Sequence, residues 1–204
     1  MGTEGNSWYE QLTPEQRFAF HSSPTEWEEY ASELFQASEV IWQNGTAGLV
    51  VHGGVIPHRT RKSLSRTYLF LVALSIENYL KGLAVAQDPN LVSSGHLSKS
   101  LRTHDLVRLA ETHCQELTKP DQLALLKLLN PSIPYWGRYP IPLSESSIEL
   151  DHDATEEVHK SIEALVTNLR LKLRRSVTRG WNGPHEMTLR SSIIYEASGD
   201  DERK

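Results

Sequence analysis

The segment Arg66–Leu83, RTYLFLVALSIENYLKGL, constrains the fold more than any other part of the chain. Tyr68, Leu69, Phe70, Leu71, Val72, Ala73 and Leu74 run almost without interruption, and Glu77, Asn78 and Lys81 then break the pattern. Apolar residues on nearly every side predict a helix buried on most of its circumference, which other helices must surround. A bilayer span needs about 20 mostly apolar residues. Glu77 and Lys81 cut this run short, so the expectation is a core helix and no membrane partner. That helix carries a carboxylate, an amide and an ammonium toward its C-terminal end, and their task is the main functional question.

A chain of 204 residues, 38% hydrophobic and 23% charged, suits one soluble domain with polar loops or tails. Cys114 is the only cysteine, which excludes an intrachain disulfide and a Cys-rich zinc site. It also suits a reducing cytoplasm, the expected location. The opening MGTEGNSWYEQL lacks the basic and apolar regions of a secretory signal, and Asn6 replaces the Ser or Thr of a myristoylation signal. Charge is uneven. Residues 1–40 hold eight acids and one base, whereas Arg59, Arg61, Lys62 and Arg66 form one acid-free basic run and Arg170, Lys172, Arg174, Arg175 and Arg179 a second. Two readings of these runs stay open: a local anion-binding face, or solvated helix ends.

Punctuation and periodicity divide the chain. Thr13 is an expected N-cap with Pro14 at the first helical position. Ser23-Pro24-Thr25-Glu26 reads as a capping box for a helix with Trp27, Tyr30, Leu34, Ser38, Ile41 and Trp42 on one stripe, Ala31 and Phe35 beside it, and Glu28, Glu29, Glu33 and Glu39 on the wet face. Asn44-Gly45 closes it with residues that tolerate left-handed backbone angles. Residues 45–58 read as a flexible Gly-rich connection. The central helix is expected over 59–86 and ends at Asp88-Pro89. Thr103 is the expected cap of a helix bearing Leu106, Leu109, Ala110, His113 and Leu117, and Thr118-Lys119-Pro120-Asp121 opens another that stops at Asn130-Pro131. Four prolines in 131–152 exclude regular helix there, yet Tyr135, Trp136, Tyr139 and Ile141 are too apolar for a solvated linker. Asp153-Ala154-Thr155-Glu156 opens the last helix, which carries Val158, Ile162, Leu165, Val166, Leu169 and Leu173. No strand is predicted. The expected organisation is an N-terminal arm over 1–22 and an all-α, up-and-down bundle of about five helices over 23–178. A long Pro/aromatic loop precedes the last helix, and a partly disordered tail covers 179–204.

The order of three short motifs carries a family resemblance. An IENYLKG segment on the long helix is followed by Thr103-His104-Asp105-Leu106 and then by Gly137-Arg138-Tyr139-Pro140. Over roughly residues 24–178 the chain resembles the HEPN domains (higher eukaryotes and prokaryotes nucleotide-binding). The resemblance implies a homodimer with a shared cleft that binds or cleaves RNA or nucleotides, in bacterial defence or a toxin–antitoxin system. A protein partner or antitoxin belongs to that picture, as does an alternative in which the chain is a non-catalytic partner, regulatory or scaffold subunit. Catalytic members are metal-independent ribonucleases carrying Arg, four to six residues, then His. The Arg stabilises charge on the phosphate and the His moves a proton.

Arg138 stands where the resemblance places the Arg, but no His follows before His152. Arg108 and His113 have the spacing and lie on one helix, where five positions separate them by about 140° of net rotation. Arg179 and His185 also have it, with Gly180, Gly183 and Pro184 between them. The catalytic candidates are therefore Arg138, Arg108 and His113. Glu77, Asn78, Lys81, His104, Asp105, Tyr135, Trp136 and Tyr139 are the candidates for RNA or nucleotide contact. Each has an ordinary alternative: Glu77 and Lys81 form an i,i+4 ion pair, His104 and Asp105 cap a helix, and the aromatics seal the bundle end rather than stack on bases. His52 and His58 lack a third ligand, neither GxGxxG nor GxxxxGK[ST] occurs, and no cofactor or metal is expected.

Overall fold

The computed structural model describes residues 7–50, 59–115, 119–134 and 153–190. Its helices are α1 (Ser7–Glu10), α2 (Pro14–His21), α3 (Pro24–Asn44), α4 (Ser65–Gln87), α5 (Leu106–His113), α6 (Pro120–Leu129) and α7 (Glu156–Thr178). The all-α expectation holds, with several helices around one core. Two short antiparallel hairpins are additional: β1 (Ala47–Val50) with β2 (Arg59–Lys62), and β3 (Trp181–Asn182) with β4 (Thr188–Leu189).

The three long helices form the body. Trp42 of α3 meets Tyr68 of α4, while Ala31 and Ser32 of α3 bond to Ser75 and Tyr79, so α3 and α4 run antiparallel. Tyr68 meets His159 of α7, and Gly82 faces Leu173, so α7 runs parallel to α4. Parallel neighbours need a return path, and α5 and α6 lie within it, the start of α5 held to Asn130 after α6 by a 2.7 Å backbone-to-side-chain bond. α4 is central as expected: Tyr68, Leu69, Val72, Ile76, Tyr79, Leu80 and Val85 are fully or almost fully buried. It is long and apolar enough to cross a bilayer, but most of that surface is buried inside the molecule. The buried apolar side chains of α3 to α7 join in one cluster that also takes in Trp181.

Several local expectations are corrected. The central helix begins at Ser65, because Arg59–Lys62 pairs with Ala47–Val50 as a strand; the connecting residues 51–58 lie outside the described residues. Gly45 closes α3 with φ −71°, not in the left-handed region. Glycine is needed there because a Cβ would lie 2.9 Å from the Ser63 carbonyl oxygen. Ser23 is the N-cap of α3 but makes no side-chain capping bond, and its buried Oγ has no hydrogen-bond partner among the described residues. The cap of α5 is Asp105, which accepts from Arg108 N; Thr103 instead bonds Asp105 N. Lys119 occupies the cap position of α6 without a side-chain bond, and Thr118 lies outside the described residues. Thr13 caps α2 as expected, whereas α7 is capped by Thr155 and not by Asp153, the first residue of the expected capping box. Tyr30 is exposed rather than in the core stripe. Glu28 is not solvated: it accepts from Arg174 Nε at 2.8 Å and from Ser32.

The chain beyond α7 also contributes to the core. Trp181 is 5% exposed and its indole N–H donates to Val85 O at 3.1 Å. The hairpin then turns through His185 and Glu186 at positive φ, and Gln16 of α2 donates to His185 O, which ties the N-terminal helices to it. Residues 191–204 lie outside the described residues.

Candidate functional site

The polar interruption of α4 is buried rather than solvated. The Glu77 and Lys81 side chains are 6% and 8% exposed and meet at 2.6 Å, Lys81 Nζ donating to Glu77 Oε1. Both lie one turn apart on the same helix face, which explains the pair by geometry alone. The second carboxylate oxygen, Oε2, is 2.9 Å from Nδ1 of His104, on the segment that leads into α5. Asp105 fixes that segment by capping α5, and Asn130 adds a second restraint on Leu106 N. Asn78 donates to Leu74 O of its own helix.

The three groups form a chain from interior to surface: ammonium, carboxylate, imidazole. Lys81 neutralises Glu77 and holds it in one rotamer. Glu77 accepts from His104 Nδ1 and leaves Nε2 as the ring's remaining nitrogen, on a side chain that is 54% exposed. A buried carboxylate that fixes the tautomer of a half-exposed imidazole suits proton transfer to or from a bound substrate.

The other candidates do not converge on this point. Arg108 is exposed, and its backbone N–H is taken by the Asp105 cap. His113 is half-buried five positions on, with Nε2 buried and without a hydrogen-bond partner among the described residues. Burial holds its imidazole below the ordinary value, against a raising influence of Asp88. Arg108 and His113 therefore point into different environments. Arg138, Tyr135, Trp136 and Tyr139 lie outside the described residues. Lys62 and Arg174, one from each basic run, do not share a face. Lys62 lies over the Trp42 ring at 3.2 Å and near Glu156 at the start of α7, while Arg174 pairs with Glu28 about 27 Å further along that helix.

A second polar cluster escaped the sequence reading. His159 of α7 is buried, stacked on Trp42 at 4.2 Å, with Nδ1 2.7 Å from the Tyr68 hydroxyl. Its Nε2 faces Glu39 of α3 at 3.8 Å and Glu163 of α7 at 3.7 Å. Burial raises the Glu39 carboxyl above its usual range, His159 opposing and Glu163 adding to the shift. Burial likewise raises the Tyr68 phenol, as do the nearby carboxylates of Glu39, Glu163 and Glu156. The i,i+4 spacing of His159 and Glu163 was a visible signal. Glu39 carried none, because it sits among acids expected to face water.

Comparison with known proteins finds no matching family model, no matching curated protein and no matching solved structure.

Proposed function

We propose that this chain is a HEPN-like helical protein that binds RNA or nucleotides on the His104 side of the bundle and cleaves RNA without a metal ion. One observation carries the reading: the Lys81–Glu77–His104 relay, with contacts of 2.6 and 2.9 Å and only the imidazole half-exposed. In this reading His104 Nε2 takes the proton from an attacking 2′-hydroxyl, and Glu77 stabilises the imidazolium that results. The proposal assigns phosphate stabilisation to Arg138, on the motif order alone. The same proposal includes a homodimer and a cytoplasmic setting in defence or toxin–antitoxin biology, with an antitoxin-type partner. The divergence of Arg108 and His113 favours a second reading, a non-catalytic partner or scaffold subunit of the same fold.

Purified protein incubated with total RNA in EDTA separates the two. Cleavage that falls by about 100-fold or more in His104→Ala supports the nuclease. Because His104 is half-exposed, that variant should keep its helical circular dichroism. Intact RNA at high protein concentration removes the nuclease reading, and RNA binding by fluorescence anisotropy then decides whether any nucleic-acid role stands. A sedimentation experiment on the same sample tests the dimer.

A further inference from the structure

The cluster at the α3–α7 interface is organised as a ligand set rather than as a hydrogen-bonded ion pair. One donor atom from each of Glu39, His159 and Glu163 lies within 4.8 Å of the other two, with His159 Nε2 3.8 Å from Glu39 Oε2 and 3.7 Å from Glu163 Oε2. The two nitrogen-to-oxygen distances, 3.8 and 3.7 Å, are too long for hydrogen bonds. They are close to the edge of a coordination tetrahedron, about 3.4 Å when each ligand stands about 2.1 Å from a central ion. His159 has only 9% of its side chain exposed, and its Nε2 is aimed into the gap between the two carboxylates. The other oxygen of Glu39, Oε1, is buried and has no hydrogen-bond partner among the described residues. The far side of the ring is held as metal-binding histidines are held: Nδ1 lies 2.7 Å from the Tyr68 hydroxyl, and Trp42 stacks on the ring with planes 12° apart.

We propose that Glu39, His159 and Glu163 bind a divalent transition-metal ion of the zinc class. One imidazole and two carboxylates are a borderline ligand set, suited to Zn²⁺ and to Co²⁺ as its spectroscopic substitute. In the bound form His159 Nδ1–H donates to the Tyr68 oxygen, which leaves the Nε2 lone pair for the ion. Three protein ligands leave a fourth position for water. Glu163, with 49% of its side chain exposed, gives the ion a route from solvent. The ion clamps α3 to α7. This site is separate from the His104 relay: Tyr68 and Glu77 lie nine positions apart on α4, about 14 Å along its axis and on opposite faces. Its existence does not depend on the RNA reading.

The test uses the full chain, stripped with chelator, dialysed and titrated with Co²⁺ and then Zn²⁺ without RNA. The expected results are one Co²⁺ per chain with a visible d–d absorption, displacement by Zn²⁺, and a raised thermal midpoint with Zn²⁺. Glu163→Gln sits at the exposed edge and keeps the fold by circular dichroism; it should weaken binding by more than about 10-fold, and Tyr68→Phe by about 10-fold. Absence of saturable binding by the wild-type chain overturns the proposal. Equal affinity in the wild type, Glu163→Gln and Glu39→Gln also overturns it, because the ion then binds elsewhere.

Discussion

Lys81→Met isolates the cost of the buried charge in α4. Lys81 Nζ and Glu77 Oε1 are 2.6 Å apart, with both side chains more than nine-tenths buried. At that distance their attraction is about 6 kcal/mol for an effective dielectric of about 20. Most of it offsets the desolvation of the two ions, each a penalty of several kcal/mol. Removing only the ammonium therefore exposes the uncompensated cost of Glu77. Breaking a buried pair from one side typically costs about 3–5 kcal/mol, and the surviving His104 contact places this variant at the lower end, about 3 kcal/mol. For a chain of this size that corresponds to a fall of roughly 10 °C in thermal midpoint. Urea unfolding with linear extrapolation provides the free energy, and an unchanged m-value shows that the native state is otherwise preserved. Glu77→Met combined with Lys81→Met removes both charges and should recover most of the loss. The double variant should nevertheless lose any cleavage that depends on an oriented His104. A loss below about 1 kcal/mol in Lys81→Met, the scale of an exposed pair, refutes the reasoning, as does a double variant no more stable than the single one.

Three further outcomes follow from local geometry. Gly82→Ala should lower stability by about 1–2 kcal/mol, measured by thermal melting. A Cβ there would sit 2.8 Å from Leu173 Cδ2 and from Trp27 Cβ, and the overpacking exceeds the roughly 1 kcal/mol gain in helix propensity. His113→Leu should flatten the acid side of the stability–pH curve measured by urea midpoints. Burial lowers the folded-state value of His113 below 6.5, so the unfolded chain binds the proton first. Its contribution is complete above about pH 6.5 and is lost as pH falls through the lowered folded value. Leu64→Asn should raise the unfolding free energy by about 0.5–1 kcal/mol, read as a higher urea midpoint at constant m. Leu64 caps α4 at φ 64° and is 51% exposed, so asparagine relieves left-handed strain while little burial is lost.

The segment Arg66–Leu83 announced its own burial, since a run apolar on every side has nowhere else to go in water. Pro89 ended that helix through local backbone chemistry, which acts within a few residues and is therefore readable; the same signals put the start of α7 at Asp153, two residues before its actual cap, Thr155. The Glu77–Lys81 pair was visible for the same reason, as a one-turn relation on a single helix. Strand pairing was not. Arg59–Lys62 carries the charges of a helix end, and only its pairing with Ala47–Val50 makes it a strand. Trp181 looked like the start of a tail because its acceptor, Val85 O, lies 96 positions away.

The same division holds for the sites. Sequence alone determined that α4 carries three polar groups and that His104-Asp105 precedes a helix. Tertiary structure decided that Glu77 reaches His104, 27 positions away. Glu39 shows the limit of pattern reading. On α3 it is one of several acids expected in water, and it becomes a partly buried carboxylate only because antiparallel packing brings α7 and His159 against it. Local spacing encodes what one helix does with its own face; which two faces meet depends on how the long helices align, and that is a property of the whole packed core.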